Sequence, residues 1–144
     1  MQQHYDERPV REWFVAFSDA PAMIPGQKLL KKGFRHVRAF GLDEDSGHYL
    51  LVDPGWDGMV VSVVPHPEQL MAQCYVRGPV LKVQARAERI YYPRVLMVCT
   101  SQICHLIGFN LLVHTPWRLF CALKKRGAES LVLKGDQNGR YVRQ

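Results

Sequence analysis

The stretch RVLMVCTSQICHLIG (94–108) holds two of the chain's four cysteines, and FRHVRAF (34–40) holds one of its six histidines within an alternating apolar run. A thiol and an imidazole in contact can attack a carbonyl, the sulfur bonding to carbon while the ring moves the proton. Cys99 is the candidate nucleophile. Pro93 stands just ahead of an apolar run, so Cys99 falls in or near the opening turn of a helix. The helix dipole favours a thiolate there, and the backbone N–H of Cys99 has no intrahelical partner and can serve an oxyanion. Cys104 lies five residues on, about 140° around the helix, so the two thiols do not share a site.

The histidines sort by position. His4 is terminal, His48 borders a loop, and His66 sits in PHP. His105 follows Cys104 into the helix, and His114 precedes a helix start. His36 alone lies within a strand, whose pleat would hold its ring as a general base requires. Alternation puts Phe34, His36, Arg38 and Phe40 on one face. A hairpin centred between Glu44 and Asp45 would oppose His36 to Asp53, Arg38 to Leu51 and Phe40 to Tyr49. Directly opposed side chains come within carboxylate-to-imidazole reach, so Asp53 is the candidate that orients the ring. A loop one residue longer or shorter would break this parity.

Each residue also has a plainer reading. A cysteine on an apolar helix is commonly a small core residue. A strand histidine can bond a carbonyl, and Asp53 in VDPGWDG can cap a turn through its side chain. Cys99, Cys104, His105 and His114 make a zinc alternative, but without paired knuckle spacing. Trp13, Trp56 and Trp117 are scattered, which suits core or cleft walls better than a platform for stacked bases.

The elements that must carry these residues follow from pattern. REWFVAF (11–17) reads as a first strand, followed by a connector rich in proline and glycine. Strands over 33–40 and 48–53 flank LDEDSG, and 59–64 (MVVSVV) is a third in that run. Residues 67–77 have helical spacing, with Pro67 in the first turn and Gly78 after the last. Residues 80–88 alternate as a half-buried strand, and 95–107 form a largely buried helix stopped by Gly108. Thr115 and Pro116 open a further helix that ends before Gly127. Residues 130–134 and 140–143 would make a last small hairpin. The sum is α+β: an antiparallel sheet with two or three packed helices. At 144 residues the chain reads as one domain, with a core over about 11–126 and a hairpin or tail over 128–144.

GFRHVRAF with YLLVDP, then VCTSQICHLIG and TPWRLF, resembles the circularly permuted papain-like cysteine hydrolases, in which the histidine strand precedes the cysteine helix. More narrowly it is similar to short phage, prophage and gene-transfer-agent-type proteins with a GFRH strand, a VDP strand, a cysteine-opened helix and a TP helix. The resemblance spans about residues 11–126. It implies a permuted papain-like fold with Cys99 as nucleophile, His36 as base and Asp53 as orienting acid, acting as a peptidase or amidase without a cofactor. It equally implies a rival role, a non-catalytic virion or assembly component that keeps the fold to bind other phage proteins. Two departures stand out: Thr100 follows the cysteine, and Cys104–His105 occupy positions where polar or basic residues are expected.

Bulk properties bound the partners. The hydrophobic fraction of 47% and charged fraction of 22% are those of a globular chain, and no glycine-rich strand–loop–helix signature points to a nucleotide. A net charge of +6 admits an anionic partner such as nucleic acid or cell wall. The basic residues are spread out, however, with clusters only at 28–38 and 124–126. The resemblance implies a protein or a peptidoglycan peptide as substrate, and nucleic acid is a weaker alternative. Apolar runs such as VLMVC are too short to span a bilayer. The polar start MQQHYDERPVREW lacks a secretory h-region, so a cytoplasmic or virion-associated protein is expected.

Overall fold

The computed structural model describes residues 10–19, 29–55, 58–86, 99–110, 113–131, 134–135 and 141–142. In chain order the elements are β1 (Glu12–Ser18), β2 (His36–Asp43), β3 (His48–Pro54), β4 (Met59–Val64), α1 (Pro67–Arg77) and β5 (Val80–Gln84). Then come α2 (Cys99–Ile107), α3 (Pro116–Lys125), β6 (Glu129–Leu131), β7 (Lys134–Gly135) and β8 (Tyr141–Val142). Six strands form one sheet in the order β4-β3-β2-β1-β5-β6, each adjoining pair antiparallel. The fold is α+β, an antiparallel sheet with three packed helices.

The central strand explains why its sequence reads as an unbroken apolar run. Every β1 residue from Trp13 to Ser18 is buried, because helices cover both faces of the sheet. Trp13, Val15 and Phe17 pack with Val37, Ala39 and Leu81 against Ile103, Ile107, Leu119 and Leu123 of α2 and α3. Phe14 and Ala16 face the other way with Phe40, Val80 and Cys74 of α1. The Phe14 and Phe40 rings stack at 5.2 Å.

The helix ends follow their signals. Thr115 Oγ1 accepts from the Arg118 N–H at 3.3 Å, with Pro116 opening α3. Gly108 (φ 75°) and Gly127 (φ 88°) take the left-handed conformation just beyond α2 and α3.

Several sequence expectations need correction. β2 starts at His36 and runs on to Asp43, and Phe34 packs with the α2–α3 core while Phe40 packs with α1. Phe34 therefore does not share a face with Phe40; it precedes the strand, and alternation does not reach it. β5 ends at Gln84, and 87–88 lie outside the described residues. β6 joins the main sheet beside β5, leaving only β7 and β8 to form the small hairpin.

The hairpin register differs by two residues. Phe40 opposes Leu51 and Asp43 opposes His48, so the turn is centred one residue later than expected. The cause is local. Asp43 Oδ2 accepts from Ser46 Oγ at 2.6 Å, Asp43 Oδ1 accepts from the Asp45 N–H at 3.2 Å, and Gly47 takes φ 73° to close the turn.

β4 is an edge strand with little cover. Met59, Val60, Val61 and Val63 are each about half exposed. No helix among the described residues is long and apolar enough to cross a membrane.

Gly78 follows α1 where the chain passes against β1, and a Cβ there would collide with the Phe17 carbonyl oxygen. Its φ of 167° is ordinary extended backbone, so the constraint is space alone. Gly78→Ala should therefore lower stability by about 1–3 kcal/mol, read as a drop in the urea midpoint at unchanged slope.

Candidate functional site

β2 and β3 run antiparallel, so the start of one lies beside the end of the other. His36 is the first residue of β2, and Asp53 is the penultimate residue of β3. In the observed register the two are diagonal neighbours rather than directly opposed. A slip of two keeps both side chains on one side of the pleat, and a diagonal pair is still within reach of an imidazole. His36 Nε2 meets Asp53 Oδ1 at 2.6 Å. A carboxylate can only accept, so Nε2 carries the hydrogen and Nδ1 is left for another partner.

Cys99, the first described residue of α2, lies close enough to the His36 ring to contribute to its raised pKa. Residues 95–98, expected within this helix, and Pro93 lie outside the described residues. Within α2, Thr100, Ser101, Ile103, Cys104 and Ile107 are buried. Thr100 Oγ1 also donates to the Val113 carbonyl at 3.3 Å. Seating the helix in this way leaves Cys99 half-buried at the margin of the core. Cys104 is fully buried on the other side of α2, as helical phase requires. All four cysteines are free thiols.

The electrostatics follow from the contacts. Burial pulls the His36 pKa down, but the hydrogen bond it donates to Asp53, the nearby Cys99 thiol and the Asp53 charge outweigh it and raise it to about 9. The Asp53 carboxyl is held below the usual carboxylate range, chiefly by its bond to His36 and against its own burial, with the Arg38 charge assisting. The ring is thus an imidazolium at neutral pH, bonded to the Asp53 carboxylate.

Arg38 had entered only as a neighbour on the strand. Burial pushes the Cys74 thiol pKa up, and the nearby Arg38 guanidinium opposes that; the Arg38 Nε is buried with no hydrogen-bond partner among the described residues. The basic segment at 28–38 is consequently divided. Lys31 sits over the Trp117 ring at 3.1 Å, Arg35 faces Asp19 at 3.8 Å, and Arg38 belongs to the sheet. These three side chains do not form a single cationic stripe, and Lys28 lies outside the described residues.

Among the described residues no cluster of His, Cys, Asp and Glu is arranged to hold a metal ion. Trp13 is core and Trp117 belongs to an aromatic cluster with Phe34 and Phe120. Trp56 lies outside the described residues.

Gln102, which no sequence motif singles out, lies one turn after Cys99 on the same helix face, and its Oε1 is buried with no hydrogen-bond partner among the described residues. The i, i+3 spacing was the available signal; the vacant acceptor is visible only once its neighbours are in place.

Comparison with family models, curated proteins and solved structures finds no match to this chain. The geometry of the site must carry the functional argument.

The raised His36 pKa makes folding pH-dependent. The stabilisation is complete below the unfolded value of about 6.5 and is lost as pH rises through about 9. Asp53, shifted down, adds stability above its unfolded value of 3.8 that is lost as pH falls below it. The urea midpoint should fall between pH 6.5 and 9.5, by at most about 3 kcal/mol of stability. Asp53→Asn should remove most of that fall.

Proposed function

We propose that the chain is a thiol hydrolase acting on an amide bond, with Cys99 as nucleophile, His36 as general base and acid, and Asp53 holding the imidazole. The observation that carries this reading is the His36 ring, bonded at Nε2 to Asp53 at 2.6 Å and close enough to Cys99 for the two side chains to influence one another. That is the nucleophile–base–orienter chain of covalent acyl transfer.

The steps balance on these residues. The Cys99 thiolate adds to the carbonyl carbon, and the oxyanion is met by the backbone N–H of Cys99, the first described residue of α2. His36 gives its Nδ1 proton to the leaving amine as the C–N bond breaks, leaving a thioester. Neutral His36 then takes a proton from water, whose oxygen attacks the thioester and frees the acid. Throughout, Asp53 accepts from Nε2–H, which keeps Nδ1 facing the sulfur and stabilises the imidazolium. A polypeptide or a peptidoglycan stem peptide supplies such a bond, and the resemblance to phage-associated papain-like proteins fits either.

A second reading has its own support. β4 exposes Met59, Val60, Val61 and Val63 along an unpaired sheet edge, and uncharged edges of this kind accept a partner strand. In that role the chain is a non-catalytic component of a phage particle. Val61→Lys would then abolish partner binding, and Cys99→Ala would leave it intact.

Iodoacetamide separates the two. At pH 7 Cys99 should alkylate at least about tenfold faster than Cys121, the other half-buried thiol. His36→Ala should remove the difference. Equally slow labelling of all four cysteines contradicts the hydrolase.

A further inference from the structure

β4 is the outer strand of the sheet beyond β3, and five of its six residues are exposed. Edge strands are ordinarily guarded by a charge, a proline, a bulge or brevity. MVVSVV has none of these. It is uncharged and free of proline, and it pairs with β3 residue for residue from Met59 to Val64. Its outer backbone groups form a regular row with no strand beside them among the described residues.

The order of the side chains says what pairs there. Residues 60–64 read VVSVV, the same in both directions about Ser62. Antiparallel pairing of two identical strands centred on Ser62 sets Val60 against Val64, Val61 against Val63, and Ser62 against Ser62. Val60, Ser62 and Val64 share one face, and Val61 and Val63 share the other. Each face therefore gains matched β-branched pairs, and two hydroxyls meet at the axis. A two-fold interface requires this self-complementarity, because residue i must suit residue j and j must suit i. An unrelated partner strand imposes no such symmetry.

Charge points the same way. Each copy carries +6, so two copies approach most readily where the surface is uncharged, and these six residues carry no charge. The opposite edge of the sheet decides between a closed pair and a filament. β6 is three residues long, begins with Glu129, and has Lys124 Nζ on Ser130 Oγ at 3.0 Å. β4 adding to β6 of the next copy would match at most three residues. β4 adding to β4 matches the five of the palindrome and uses up both edges, which closes the assembly. Six strand residues offer less than the roughly 800 Å² per partner of a standard interface, which places the dimer in the weak, reversible class.

We propose that the chain forms a two-fold dimer by antiparallel β4–β4 pairing about Ser62, joining two six-stranded sheets into one continuous sheet. The proposal goes beyond the thiol-hydrolase reading and does not depend on it. It gives the β4 edge to a second copy in place of another phage protein.

Sedimentation equilibrium of the full chain should show monomer passing reversibly to dimer, with nothing larger, as concentration rises through the micromolar range. Ser62→Lys sets two ammonium groups against each other at the axis, and Ser62→Glu two carboxylates, so each should weaken self-association at least about tenfold. Mixing the two variants should restore a dimer with one copy of each, which misfolding of either cannot imitate. Cys99→Ala should dimerise like the native chain. A chain still monomeric at about 1 mM, open-ended growth, or a mixture of the two Ser62 variants that fails to pair overturns the proposal. Self-association untouched by either charge places the contact on another surface and overturns it as well. Slow labelling of Cys99 would remove the hydrolase and leave the dimer standing.

Discussion

One imidazole gripped from two directions is the constraint on which the rest depends. His36 must meet a carboxylate on the neighbouring strand and a thiol on a helix that follows some sixty residues later in the chain. The first contact is set by the β2–β3 register, the second by how α2 seats on the sheet. Neither element holds the site alone. The 2.6 Å bond to Asp53 fixes the ring, and a ring so fixed has one nitrogen left to offer the sulfur.

The seating of α2 is a packing problem solved by its sequence. Ile103, Cys104 and Ile107 are fully buried against Val37, Ala39 and the central strand, while Thr100 ties the first turn to Val113. The opposite face of the same helix carries Cys99 and Gln102. Burying one face therefore leaves Gln102 and Leu106 on a cavity shared with Gly58 and Met59 at the start of β4. The two-sided core does the rest, because β1, buried throughout, lets α1 cover one face and leaves the other to α2 and α3. The same chain economy explains why β4 is left exposed, since no helix among the described residues extends over it.

Much of this arrangement was legible in the residues. The caps of α3, the glycine stops, the run of antiparallel strands and the phase that separates Cys99 from Cys104 follow from local chemistry, which the tertiary fold leaves undisturbed. The hairpin register did not follow. LDEDSG contains several polar residues able to close a turn, and only the Asp43 side chain bonding to Ser46 and Asp45 decides among them. The resulting slip of two residues preserved the face, so Asp53 meets His36 in a diagonal geometry in place of an opposed one. Phe34 was misplaced because strand alternation holds only inside a strand. Arg38 beside Asp53 and the vacant Gln102 acceptor depend on contacts between distant segments, which spacing alone does not encode.

The central claim is the state of His36 between its two partners, and a ring titration by NMR reads it directly. The account predicts a His36 midpoint near 9, a hydrogen on Nε2, and a midpoint that falls in both Asp53→Asn and Cys99→Ala. A midpoint at the ordinary histidine value of about 6.5, indifferent to both substitutions, would contradict it.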